Sequence, residues 1–137
     1  LLYYVDTGTR RIDALDYEAE SGTIANRRTL VAIPEAEGKP DGLIVDADGC
    51  VWVALWQGSA VRRYTPDGRL DCQIDLPVSC PTKCAFGGSD LDELYITSAR
   101  TVLTTDEQKA REPHAGSLFV VRPGVRGRRV NQFGHAT

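Results

Sequence analysis

Methionine is absent from the 137 residues, and histidine occurs only twice. Positive charge is not in excess: 16 Lys and Arg stand against 19 Asp and Glu, for a net charge of −3. The arginine pairs Arg10-Arg11, Arg27-Arg28, Arg62-Arg63 and Arg128-Arg129 lie scattered among acids. No basic patch exists to track a phosphate backbone, so nucleic acid is not an expected partner. No apolar run approaches the ~20 residues of a membrane helix, so a membrane is not expected either. No charged lead followed by an apolar stretch reports secretion. Four cysteines occur, Cys50, Cys72, Cys80 and Cys84. Cys80 and Cys84 are separated by three residues, not the two of zinc or thioredoxin-type sites, and no second Cys/His cluster has ligand spacing. Free thiols in a reducing, cytoplasmic setting are the expectation. Helical periodicity is also missing, except that Asp106 to Arg111 suits one or two turns.

What is present is strand after strand, broken by turns. Hydrophobic residues make up 42% and charged residues 26%, ordinary values for a soluble globular domain. The length suits one domain or part of a larger one. The opening Leu1-Leu2-Tyr3-Tyr4-Val5 reads as a strand already under way, so the domain is expected to continue upstream. LLYYV, RIDALDY, LIVDA, VWVAL, AVRRY, CQIDL, ELYITSA and SLFVV are short and rich in β-branched or aromatic residues. Turn sequences such as Asp46-Ala47-Asp48-Gly49, Pro66-Asp67-Gly68 and Gly87-Gly88-Ser89 separate them.

These strands recur as a unit. Leu2-Tyr3-Tyr4-Val5 and the strand after it superimpose without a gap on Val51-Trp52-Val53-Ala54 and its successor, at an offset of 49. Val51-Trp52-Val53-Ala54 superimposes in turn on Leu94-Tyr95-Ile96-Thr97, at an offset of 43. A period of roughly 40–50 residues with about four strands per unit is the signature of a β-propeller. About three blades are expected, the first and last incomplete. Pro40-Asp41-Gly42-Leu43 matches Pro81-Thr82-Lys83-Cys84 at an offset of 41. The first strand of a propeller blade lines the central channel, so Asp41 is expected at the channel mouth, with Thr82 one blade on. The second Pro-Asp-Gly, Pro66-Asp67-Gly68, falls between the third and fourth strands and reads as a turn at the outer rim.

GKPDGLIVDADGCVWVALWQGSAVRRYTPDG, LPVSCPTKCAFGG, DELYITSAR and PHAGSLFVV with GVRG together resemble the regucalcin/gluconolactonase/luciferin-regenerating-enzyme family. The resemblance runs from about Leu1 to Phe133. It implies an all-β, six-bladed propeller, with residues 1–137 as the C-terminal part, roughly the last three blades, of that single domain. It also implies one divalent metal held by a Glu, two Asn residues and the Asp of the Pro-Asp-Gly motif, here Asp41. The other three ligands would lie upstream of Leu1. Carboxylate and amide oxygens suit Ca²⁺, Mg²⁺ or Mn²⁺ and tolerate Zn²⁺. Such a cation polarises a lactone carbonyl and acidifies bound water. The implied activity is hydrolysis of a sugar lactone to the aldonic acid, with Asp41 as both metal ligand and general base. Two other readings stay open: a calcium-binding regulatory protein of the same fold, and a propeller interaction module without catalysis. One carboxylate is too few ligands for a site, so the 137 residues alone are expected not to turn over substrate.

Other candidates have plainer readings. Thr82 shares the channel position and completes its lining. Asp46 and Asp48 begin like a calcium loop, but the downstream Glu is missing and a strand follows at once, so a hairpin turn is expected. Asp6 reads as a turn-capping residue. His114 and His135 stand alone, without a Ser or Cys nucleophile in a recognisable elbow. Trp52, Trp56, Tyr95 and Phe119 fall at strand positions, where packing between blades is the expected role. Arg100 reads as a surface or salt-bridging residue, or one that reaches an anionic product.

Overall fold

A computed structural model of the chain describes residues 1–130. Among the described residues, ten strands form three antiparallel sheets, in chain order. The first holds β1 (Leu2–Asp6), β2 (Arg11–Tyr17) and β3 (Ile24–Ala32). The second is a four-stranded meander of β4 (Lys39–Val45), β5 (Val51–Trp56), β6 (Ala60–Tyr64) and β7 (Leu70–Asp75). The third holds β8 (Pro81–Gly87), β9 (Glu93–Ser98) and β10 (Leu118–Val121). One complete propeller blade is thus flanked by two three-stranded ones. Superposition of the repeats makes β1 the second strand of its blade and β8 the first strand of its own.

The sequence VWVALW explains why the blades stack. β5 is buried on both faces, so its run is apolar throughout rather than alternating. Val51, Val53 and Leu55 pack with Ile12, Val31 and Ile33 of the first sheet and its exit. Trp52 and Ala54 pack with Cys84, Leu94 and Ile96 of the third. Trp52 meets Phe86 edge-on, with ring centroids 6.1 Å apart, which is the packing role expected of it. The strand register reproduces the repeat offsets: Leu43 faces Val53, and Cys84 faces Ile96.

β3 was not among the strands read from the sequence. IANRRTLVA carries consecutive polar residues at its centre and lacks an apolar alternation. Charge pairs line its centre, where Arg27 binds Asp13 at 2.6 Å and Arg28 binds Asp16 at 2.9 Å on β2, while Val31 near its end packs into the core. The short helix α1 (Asp106–Arg111) falls where expected and starts on a capping box at Thr105 and Gln108. Asp6 caps its turn by accepting from the Gly8 N–H and the Thr9 hydroxyl. Asp67 accepts from the Thr65 hydroxyl and Arg69 Nε in the exposed turn between β6 and β7. That turn is not wholly in solvent: Gly68, at φ +83°, lies against the Leu30 carbonyl, where a side chain has no room. No helix among the described residues is long and apolar enough to cross a membrane.

Candidate functional site

Asp41 stands near the start of β4, and the backbone there departs from regular pairing. Pro40 faces Leu55, but Leu43 faces Val53, so Asp41 and Gly42 together oppose the single residue Ala54. The same irregularity recurs in the next blade, between Pro81 and Lys83, with Thr82 as the extra residue. A bulge of this kind re-aims a side chain that regular pairing would send to a blade face. The strand start is also pinned from the first blade. The Thr7 hydroxyl donates to the Pro40 carbonyl at 2.9 Å, and Arg10 Nη1 donates to the Gly38 carbonyl at 2.6 Å.

The surroundings of Asp41 are sparse. Among the described residues its carboxylate accepts no side-chain hydrogen bond and closes no salt bridge; the Gly42 N–H interacts with it. Burial pushes its carboxyl above the ordinary range, against the opposing pull of the Lys83 charge. A partly desolvated carboxylate with free lone pairs is a suitable hard ligand and proton acceptor. No group of three or more His, Cys, Asp or Glu side chains occurs among the described residues that could hold a metal. Asp41 therefore fits a cation site as one contributor, not as the whole of it.

β4 and β8 approach closely at this point. A Cβ on Gly42 would stand 2.6 Å from Lys83 Cγ and 2.8 Å from the Thr82 carbonyl oxygen. Gly42→Ala is expected to destabilise the protein by about 1–3 kcal/mol, because the Thr82 backbone cannot yield as a side-chain tip would. Urea titration checks this; an unchanged midpoint would show that the two strands separate at no cost. Thr82 hydrogen-bonds Thr97 at 2.7 Å between hydroxyl oxygens.

The remaining candidates lie elsewhere. His114 and Arg100 are exposed on the loops beyond β9, and His135 lies outside the described residues. So do Asn131 to Phe133. The four cysteines are free; Cys84 is packed in the core and its thiol is pushed up to about 12 by burial. Sequence reasoning missed Asp46, which is a turn residue as expected but fully buried. It accepts from the Asp48 and Cys50 N–H groups, Trp52 Nε1 and Arg63 Nε. It is structural, and its only trace in the sequence is an acid placed where β4 ends.

Residues 1–100 match the model of the family described as the SMP-30/Gluconolactonase/LRE-like region. The chain belongs to that family. It is 41% identical over 128 residues to the regucalcin of Xenopus laevis, covering 92% of this chain and 42% of that protein. Among solved structures it is similar to a calcium-binding protein, regucalcin, from Agrobacterium tumefaciens. That likeness has a TM-score of 0.83 and 31% identity, over 92% of this chain and 43% of the other. It is also similar to a gluconolactonase from Xanthomonas campestris, with a TM-score of 0.59 and 30% identity over 69% of this chain and 30% of the other. The chain thus spans about two-fifths of the length of the regucalcins it matches. Family membership and the three sheets agree that the fold is part of a β-propeller.

Proposed function

We propose that this protein hydrolyses a sugar lactone to the corresponding aldonic acid, with one divalent cation (Ca²⁺, Zn²⁺, Mn²⁺ or Mg²⁺) as cofactor. The observation that carries this reading is Asp41: a half-buried carboxylate at a bulge, with no side-chain partner among the described residues. Asp41 would supply one ligand to the cation, the others coming from outside residues 1–137, as they would if this chain is the C-terminal part of a longer propeller. When bound, such a cation polarises an ester carbonyl. A carboxylate oxygen of Asp41 takes a proton from the attacking water as its oxygen bonds to the acyl carbon. The proton passes to the ring oxygen as the ester C–O bond breaks, leaving the free acid. Pinning of Gly38 and Pro40 by Arg10 and Thr7 keeps that carboxylate in place. The four free thiols support a cytoplasmic setting.

The similarity to a protein named as a calcium-binding regucalcin favours a second reading, calcium binding with little turnover. The two part on one experiment with the protein as expressed from its gene. Gluconolactone hydrolysis is followed before and after EDTA treatment, then with each cation restored. Chelation is expected to remove most of the activity and one cation to return it. Hydrolysis indifferent to EDTA would sink the metal role, and calcium binding without hydrolysis would favour the second reading.

A further inference from the structure

The Lys83 charge acts on Asp41, and the reaction described above gives it no role. It follows Thr82 at the bulge of β8, and its side chain crosses to the neighbouring blade. Its stem lies over Gly42, the position where a Cβ would collide with it. Its Nζ ends 3.5 Å from the Leu43 carbonyl oxygen of β4. Among the described residues that carbonyl is the one hydrogen-bond partner of its ammonium, and the residue is exposed. An ammonium held beside the strand start by a single long contact to a carbonyl keeps most of its donor capacity for a ligand. The hydroxyls of Thr82 and Thr97, 2.7 Å apart, stand on the same pair of strands. A cation beside paired hydroxyls suits a polyhydroxylated acid.

We propose that Lys83 determines specificity at this site by pairing with a carboxylate on the ligand, so that lactones bearing a second acid group are preferred over neutral ones. The inference rests on the lactonase reading of Asp41 and extends it to the substrate class. A neutral lactone offers the ammonium only hydroxyl and carbonyl dipoles. A lactone of a sugar diacid offers a full charge, and so does the acid product.

Lys83→Met tests this cleanly, because methionine keeps an apolar stem over Gly42 and removes only the charge. Gluconolactone and glucarolactone are compared as substrates, using the protein as expressed from its gene. Loss of the charge is expected to raise KM for glucarolactone about fivefold more than KM for gluconolactone, with Lys83→Arg retaining the preference. An unchanged ratio of the two KM values in Lys83→Met would overturn the proposal. Calorimetric titration with glucarate provides a readout that needs no turnover. Weaker binding to Lys83→Met than to wild type supports the role; equal binding, or none to either, removes it. Normal turnover by Asp41→Asn would defeat the reading of Asp41 while the KM ratio still decided Lys83. A wild type that opens no lactone would defeat the lactonase reading, and glucarate binding would then decide.

Discussion

Replacing Asp41 by Asn is expected to lower kcat for lactone hydrolysis by about 10²–10⁴-fold, the usual loss when a positioned proton acceptor is removed. The fold should hardly notice. Asparagine has nearly the same shape, and among the described residues Asp41 closes no salt bridge and accepts no side-chain hydrogen bond that would be lost. The change removes a basic oxygen and one negative charge from a half-buried position facing Lys83. The cation would also lose affinity, because a neutral amide oxygen is a weaker ligand than a carboxylate. Added metal should therefore recover part of the loss but not all of it, since the missing base is not restored. The measurement is kcat across a metal titration, with thermal melting as the control for folding. An unchanged kcat at saturating metal would remove Asp41 from the chemistry. A lowered melting temperature beside a lowered rate would mean that the side chain holds the bulge instead.

How far the sequence revealed this arrangement depends on the range of the interaction. The blade repeat was legible because it rests on local chemistry. VWVALW must be buried on both faces, and the offsets of 41 and 43 recur in the register of Leu43 with Val53 and Cys84 with Ile96. Asp41 was legible as a strand-start residue, but its bulge was not. A bulge is a relation between two strands, and Pro-Asp-Gly reads equally well as a turn, which Pro66-Asp67-Gly68 is. β3 is hard to read because its centre is polar, with Arg27 and Arg28 paired to β2 acids, and its apolar contribution is confined to Leu30 and Val31 near its end. The contact of Lys83 with Gly42 joins strands of different sheets, so no single-strand pattern announces it. Asp46 lay in the plainest turn sequence of all, yet it carries the most densely bonded carboxylate described.

Asp46→Ala is expected to destabilise the protein by about 3–5 kcal/mol, the cost of removing one partner from a buried ion pair. The size follows from what the carboxylate satisfies. Oδ1 accepts from the Asp48 N–H at 3.0 Å and the Cys50 N–H at 2.9 Å, which closes the turn between β4 and β5. Oδ2 accepts from Trp52 Nε1 at 2.9 Å and Arg63 Nε at 2.7 Å. Both Asp46 and Trp52 are fully buried, so water cannot replace the lost acceptor without opening the core. Arg63 keeps Asp48 and Asp71, each at 2.7 Å, so its charge is not stranded altogether. Burial alone would lower the Arg63 pKa, but its bonds to Asp46 and Asp71 outweigh that and hold it above the ordinary value. The loss is a large share of the 5–15 kcal/mol that holds a typical domain, so the variant should melt far earlier or fail to accumulate folded. Asp46→Asn separates charge from shape. Its amide can present one oxygen, but its NH₂ must then meet two donors, Trp52 Nε1 and Arg63 Nε, so most of the loss should remain. Asp67→Ala, in the exposed turn between β6 and β7, is the matched control and should leave the midpoint of urea unfolding nearly unmoved. Equal midpoints for Asp46→Ala and Asp67→Ala would mean that the buried carboxylate stabilises the blade no more than a surface turn does.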